Sequence, residues 1–159
     1  MTPKFIIVHH TATNRNTTTF EAVNNYHKQL WNWKSSLGYY IGYQYFITAD
    51  GKLRQGRADN EPGAHCVGWN NNSIGVCLTG NFEIEQPTVA QLETLKDLLD
   101  CLRDRWRIDL KNIFGHKEKR ATLCPGKNLM SWVQQYREKS PLKTKEEIKV
   151  EIIRLLNQL

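Results

Sequence analysis

The chain has 159 residues, 40% of them hydrophobic and 24% charged, a composition typical of one globular domain that excludes a disordered or fibrous protein. No apolar run approaches the ~20 residues that a membrane-spanning helix needs. The formal charge of +6 favours anionic partners. The basic residues are dispersed and no nucleic-acid-reading motif is present, so nucleic acid is not expected as a partner.

The first predicted element is a strand at "FIIVHH", residues 5–10, because a short apolar run rich in β-branched residues is typical of a buried strand. Thr18 and Glu21 form a capping-box pattern, which predicts a helix over about 18–34. The residues expected on its buried face recur at helical spacing: Phe20, Val23, His27 and Leu30. His27 is therefore interpreted as a structural residue.

Further strands and helices follow in alternation. A β-hairpin is expected in "YQYFITADGKLRQG", since Asp50-Gly51 is a strong turn signal, and "SIGVCLTG" and "NIFGH" have the apolar character of strands. Thr88 and Gln91 form a second capping box that opens a long helix. The apolar face of that helix contains Leu92, Leu95, Leu98, Leu99, Leu102 and Trp106. A last helix follows "CPG" and has on one face Leu129, Trp132, Val133 and Tyr136.

This alternation indicates an α/β protein with a central mixed β-sheet flanked by helices. We expect the domain to cover residues 1–139, because Ser140-Pro141 interrupts the pattern. Residues 140–159 are expected to form a linker and an extra amphipathic C-terminal helix, with apolar residues at Ile148, Ile152, Leu155 and Leu159. This apolar seam either docks on the domain or belongs to a truncated or oligomerising element, so 144–159 is a candidate region for self-association.

The cysteines are interpreted one by one. The N-terminal segment lacks the features of a secretory signal peptide, so we expect a protein made in the cytoplasm without a disulfide framework. Cys77 and Cys101 lie in apolar patterns and are expected to be buried, whereas Cys66 is left open. Cys124 stands in a polar loop bounded by Gly and Pro, where packing gives no reason for a thiol.

The loop "FGHKEKRATLCPG", residues 114–126, brings His116 and Cys124 close together in sequence. The first strand ends in His9-His10, and clefts in α/β domains form at strand ends. Two imidazoles and one thiolate suit zinc, with the fourth position left open as in catalytic sites. A lone histidine is more often an ordinary surface or core residue, and the residues by themselves leave both interpretations open.

Four ordered segments carry a more specific signal: "IIVHHTAT", "IGYQYFITADGKLRQGR", "GAHCVGWNNNSIGVCLTGNF" and "GHKEKRATLCPG". Together they resemble the signature segments of zinc-dependent N-acetylmuramoyl-L-alanine amidases of the phage-lysozyme type and of the related peptidoglycan recognition proteins. The resemblance covers about residues 5–137. It implies that His9, His116 and Cys124 bind zinc and that Tyr43 is catalytic. His10 is not expected to bind the metal, since neighbouring side chains on a strand point to opposite faces.

The same resemblance implies further site residues. Phage enzymes of this type carry a functional lysine where this chain has Thr122, whereas catalytic peptidoglycan recognition proteins have threonine there, so Thr122 is expected to assist through its hydroxyl. The segment containing His65, Trp69 and Asn70 is expected to line the substrate groove. Glu118 is either a carboxylate that orients a ligand imidazole or a solvated loop residue.

The implied reaction is hydrolysis of the amide that joins N-acetylmuramic acid to L-alanine in peptidoglycan. Zinc would polarise the carbonyl and lower the pKa of its bound water towards ~7. The expected role is that of a phage or prophage endolysin, a bacteriolytic and antimicrobial enzyme that acts on the cell wall after release. The alternative is a non-catalytic peptidoglycan-binding or regulatory protein on the same fold. Relatives that only bind typically lack the cysteine ligand, so Cys124 favours the enzyme.

Overall fold

The structure, a computed structural model, describes residues 1–139 as a mixed five-stranded sheet with helices on both faces. The strands are β1 (Phe5–His10), β2 (Tyr45–Ile47), β3 (Leu53–Gln55), β4 (Ser73–Leu78) and β5 (Ile113–Gly115). Their order is β3-β2-β4-β1-β5, and only the β2–β3 hairpin is antiparallel. This confirms the predicted α/β architecture. The predicted C-terminal helix and the seam at 144–159 lie outside the described residues.

Residues 1–139 contain three α-helices, α1 (Phe20–Trp31), α2 (Val89–Trp106) and α3 (Lys127–Lys139). The capping box of α2 is confirmed, since Thr88 Oγ1 accepts the N–H of Gln91 and Gln91 Oε1 accepts the N–H of Thr88, both at 3.1 Å. Each of these helices, within residues 1–139, is too short or too polar to cross a lipid bilayer.

The predicted start and length of α1 are wrong. Its N-cap is Thr19, whose hydroxyl oxygen accepts the N–H of Ala22 at 3.1 Å, while the hydroxyl of Thr18 donates to Thr13 instead. The helix ends at Trp31 because Asn32 adopts a left-handed conformation, with its N–H donating to the Lys28 carbonyl. A loop therefore begins at residue 32, inside the predicted helix.

The sheet separates two hydrophobic clusters. The larger cluster lies between the sheet and helices α2 and α3, and it includes Ile6 and Val8 of β1. The smaller cluster lies on the α1 face and consists of Phe20, Ile41, Phe46 and Cys77. Because side chains alternate along β1, His9 points to the α1 face together with its register partner on β4, Cys77.

The cysteine predictions have mixed outcomes. Cys77 is fully buried, as predicted, and Cys66 is buried as well. Cys101 is exposed, which contradicts the prediction. It precedes buried Leu102 by one position on α2, and a turn of ~100° per residue directs its side chain towards solvent. There its sulfur accepts a long hydrogen bond of 3.9 Å from Arg105.

Candidate metal centre

His9, His116 and Cys124 meet at the carboxyl edge of the sheet. His9 lies near the end of β1, and His116 directly follows β5, which pairs in parallel with β1. Parallel neighbours end at the same edge, so the two imidazoles converge. One ligand atom from each of the three residues can be chosen so that all lie within 4.8 Å of one another. His9 Nδ1 is 3.7 Å from Cys124 Sγ.

The loop that carries Cys124 is held on both sides. The Cys124 carbonyl accepts the N–H of Lys117 at 2.7 Å, and its sulfur accepts the N–H of His10 at 3.4 Å. Gly126 has a φ of 84°, and a Cβ there would lie 2.3 Å from the carbonyl carbon of Phe82. Only glycine permits this close approach, which seats the Cys124 loop against the chain after β4.

The donor set fits a zinc ion. Zinc–nitrogen and zinc–sulfur bonds imply ligand separations of roughly 3.3–3.6 Å in a tetrahedral site. The distance of 3.7 Å between His9 Nδ1 and Cys124 Sγ is close to this range, and one donor atom from each of the three residues lies within 4.8 Å of the others. Burial lowers the pKa of His9 well below its ordinary value, which keeps the imidazole neutral as a metal ligand must be. Burial raises the pKa of Cys124 to about 12, so metal binding at that sulfur releases a proton.

Tyr43 stands beside the three candidate ligands. Its ring centroid lies 5.2 Å from that of His9. Burial raises the pKa of the phenol well above its ordinary value, so the hydroxyl stays protonated and can donate a hydrogen bond. The loop before Tyr43 is fixed by α1, because His27 Nδ1 accepts the N–H of Gly42 at 2.9 Å and Asn24 Oδ1 accepts the N–H of Tyr40 at 2.7 Å. This contact agrees with the structural interpretation of His27.

A groove of about 620 Å³ opens next to the centre. Its lining includes five of the residues predicted for the site: Tyr43, His65, Asn70, His116 and Thr122. The lining also includes Trp31, Trp33 and Arg120, which sequence reasoning missed. The two indoles are 47% and 44% exposed. The segment "WNW", residues 31–33, was the available sequence signal, because its two tryptophans directly follow Leu30, the last residue on the predicted apolar face of α1.

The three residues predicted for the substrate groove occupy different positions. His65 is buried, and its Nδ1 lies 3.0 Å from His9 Nε2. Asn70 lines the groove, but its Oδ1 already accepts the N–H groups of His65 and Cys66, both at 2.9 Å. Trp69 is not among the groove-lining residues. It packs edge-on against Phe5, with a centroid distance of 5.0 Å.

Two residues support the motif loop. Thr122 Oγ1 accepts the N–H of Cys124 at 3.2 Å while the side chain lines the groove. Glu118 accepts the N–H of Gly115 at 2.8 Å, and both of its oxygens pair with Arg137. This carboxylate therefore braces the turn that presents His116.

Comparison with known proteins assigns the chain to a family. A model described as N-acetylmuramoyl-L-alanine amidase matches residues 1–127. Peptidoglycan-recognition protein SC2 of Drosophila melanogaster is 32% identical over 139 residues, covering 83% of this chain and 73% of that protein. Peptidoglycan-recognition protein 2 of Holotrichia diomphalia is 31% identical over 141 residues, covering 84% and 73%.

Solved structures show the same likeness. The endolysin N-acetylmuramoyl-L-alanine amidase LysCS from Clostridium intestinale URNW matches with a TM-score of 0.74 at 32% identity, covering 85% of this chain and 83% of that chain. Drosophila PGRP-LB matches with a TM-score of 0.72 at 27% identity, covering 84% and 81%.

Proposed function

Because this chain belongs to the N-acetylmuramoyl-L-alanine amidase family, we propose that it hydrolyses the bond between N-acetylmuramic acid and L-alanine in peptidoglycan, with zinc as cofactor. The observation that carries the proposal is the convergence of His9, His116 and Cys124 beside Tyr43 on an open groove. When bound by these three residues, zinc supplies Lewis-acid polarisation of the scissile carbonyl and activation of water near neutral pH.

The remaining chemistry belongs to side chains around the centre. Tyr43 keeps its proton and donates a hydrogen bond to the oxygen on which negative charge develops during attack. Thr122 fixes the loop of Cys124, because its hydroxyl oxygen accepts the N–H of Cys124. The hydroxyl hydrogen of Thr122 remains available for donation to a group bound in the groove. The groove wall orients the substrate. The indoles of Trp31 and Trp33 pack against apolar parts of the substrate, and Arg120 supplies a positive charge.

We further propose that the enzyme acts as an endolysin, a bacteriolytic and antimicrobial protein that reaches the wall after release from the cell in which it is made. The similarity to the Clostridium intestinale endolysin supports this role. The net charge of +6 supports it as well, since it favours approach to anionic wall polymers.

The second candidate is a peptidoglycan-binding protein that does not cut. The ectodomain complex of peptidoglycan recognition proteins LCa and LCx was solved with tracheal cytotoxin bound, at a TM-score of 0.72 and 26% identity to this chain. A complete three-donor set together with a protonated tyrosine favours the enzyme, since binding alone needs neither.

The deciding experiment is mass spectrometry of purified peptidoglycan after incubation with the protein as purified, after chelation, and after zinc is restored. We expect release of stem peptides with a free N-terminal L-alanine, lost on chelation and recovered with zinc. Cys124→Ala should release none while retaining the circular dichroism of the parent. If zinc-loaded parent protein releases no peptide, the binding protein becomes the better description.

A further inference from the structure

We propose that His65 is a positioning residue, which accepts a hydrogen bond from Nε2–H of His9 and thereby leaves the Nδ1 lone pair of His9 free for the metal. The inference deepens the proposed function, since it concerns the metal site on which the hydrolysis rests. It assigns His65 a role other than the substrate contact implied by the family resemblance.

The two nitrogens of His9 have different neighbours. Nδ1 lies 3.7 Å from Cys124 Sγ, on the side where the three candidate ligands converge. Nε2 lies 3.0 Å from Nδ1 of His65, and both rings are buried. The His9 ring therefore bridges the metal position and His65, and this bridge determines which nitrogen can bind metal.

Tautomer chemistry sets the direction of this hydrogen bond. A neutral imidazole carries one proton, so Nδ1 of His9 is free to bind metal only when Nε2 carries that proton. Nδ1 of His65 must then be the acceptor, which places the proton of His65 on its own Nε2. The 3.0 Å separation agrees with this assignment, because a hydrogen bond between the two facing nitrogens requires that only one of them carries a proton.

The fold holds the ring of His65 in this position. A Cβ added at Gly63 would lie 2.3 Å from His65 Cδ2, and one added at Gly75 would lie 2.6 Å from the same atom. The ring occupies space that exists only because both positions are glycine. The backbone of His65 is fixed as well, through the hydrogen bond that its N–H donates to Asn70.

The second nitrogen of His65 has no competing role. Among residues 1–139, Nε2 has no hydrogen-bond partner and is inaccessible to solvent. The backbone of Ser73 faces this ring but does not meet the geometry of a hydrogen bond to Nε2. A buried N–H without a partner is unfavourable. Its retention fits a ring that is kept for the hydrogen bond at Nδ1, because Nε2 is closed to solvent and Nδ1 faces His9.

The test uses two substitutions of nearly equal shape, His65→Asn and His65→Leu. Asparagine can place Oδ1 where Nδ1 of the histidine stood and so keeps an acceptor for His9, whereas leucine cannot. Zinc affinity is measured by competition with a chromophoric chelator, after circular dichroism has shown that each variant is folded. We expect the leucine variant to lose ~10–100-fold in affinity and the asparagine variant to recover most of that loss.

A second readout is the tautomer of His9, observed by long-range ¹H–¹⁵N correlation spectra of the zinc-loaded parent protein. We expect His9 to carry its proton on Nε2 and to bind zinc through Nδ1. Coordination through Nε2 would overturn the inference, even if the leucine variant fails to fold. Equal losses of zinc affinity in both variants would show that His65 only packs against its neighbours. Unchanged zinc affinity in both would show that His65 does not position His9.

These measurements separate the inference from the proposed function. If affinity and tautomer follow the expectation while peptidoglycan stays uncut, His65 positions His9 in a metal-binding protein that is not an amidase. If peptidoglycan is cut with zinc but the two variants behave alike, the amidase is established and the positioning role fails.

Discussion

Tyr43 is the clearest residue-scale test of the proposed chemistry. Its phenol lies beside His9 and keeps its proton, so it is suited to act on charge that develops only in the transition state. We expect Tyr43→Phe to lower kcat by about 10²–10³-fold with little change in KM, measured on a soluble muramyl peptide. Zinc content should stay the same. A rise in KM with unchanged kcat would make Tyr43 a binding residue.

His27 gives a residue-scale prediction about pH. Burial lowers its pKa from 6.5 to about 4, so the folded protein binds fewer protons than the unfolded chain between these values. Its contribution to stability is therefore complete above about 6.5 and is lost as pH falls towards 4. This one group changes the free energy of unfolding by at most ~1.4 kcal/mol per pH unit, and by less where solvent reaches the ring.

The matched variant is His27→Asn, because an amide oxygen can still accept the N–H of Gly42 but does not titrate. Urea denaturation between pH 7 and pH 4 should show a shallower pH dependence in the variant. Parallel curves for parent and variant would contradict the titration of His27.

At the residue scale, sequence could predict the candidate ligands and little of their surroundings. His9, His116 and Cys124 were predicted from the resemblance of their segments to the amidase family, whereas their positions near strand ends and in a loop left an ordinary structural role open as well. The contact between His9 and His65 spans 56 positions and depends on how two loops pack. Arg57 was unpredictable for another reason: arginine is rarely buried, yet this one is 1% exposed.

Arg57 acts at the scale of elements, because it fastens the loop after α1 to the rest of the domain. Its guanidinium donates to the carbonyls of Ile41 at 2.7 Å and Trp33 at 2.8 Å, and it lies 4.6 Å from the Trp33 ring centroid. Trp33 of this loop and Trp31 at the end of α1 together form the groove wall. The wall is therefore held in place by a side chain outside the groove.

Arg57→Met should weaken this wall. It leaves buried carbonyls without donors, so we expect the free energy of unfolding to fall by about 1–3 kcal/mol and KM for peptidoglycan fragments to rise. Arg54→Met is the control, since Arg54 is a partly exposed arginine paired with Glu21 and should cost at most about 1 kcal/mol. Equal losses of stability in the two variants, measured by denaturation, would show that the buried contacts of Arg57 are unimportant.

Elements with strong local signals were predicted well. The β-hairpin at Asp50-Gly51 and the capped helix α2 formed where their turn and cap residues indicated. α1 was misplaced because two adjacent threonines compete for its N-cap and Asn32 ends it in a conformation that periodicity does not reveal. Leu30 was predicted on the buried face of α1, but its side chain is 50% exposed because the helix ends one residue later and the chain turns away.

At the scale of the whole molecule, metal binding should couple to stability. The candidate ligands come from β1 and from the chain after β5, so an ion at this site joins distant parts of the fold. A hundredfold excess of zinc over its Kd should add about 2.7 kcal/mol, which corresponds to a rise in Tm of roughly 5–10 °C.

Differential scanning calorimetry with zinc and with chelator measures this difference directly. The chelated protein should remain folded, because the two hydrophobic clusters contain none of the three ligands. Cys124→Ala is the control and should show a Tm that barely responds to zinc. A parent protein with the same Tm in both conditions would contradict specific metal binding at this site.

The fold class was predictable as a whole because strands and helices alternate clearly along the chain. The register and the strand order were not, since both depend on pairings between segments that lie far apart in sequence. The self-association expected from 144–159 stays a prediction, which size-exclusion chromatography with and without residues 141–159 addresses.

The distance along the chain between His9 and Cys124, 115 positions, has a consequence for biosynthesis. His9 is translated before the other two donors, and β1 must wait for both of its neighbours, β4 and β5, to be translated. Cys124 emerges only when the domain is nearly finished. A chain that stops before residue 124 therefore lacks at least one of the three donors. The complete donor set, and with it the proposed metal site, can therefore form only after Cys124 has been translated.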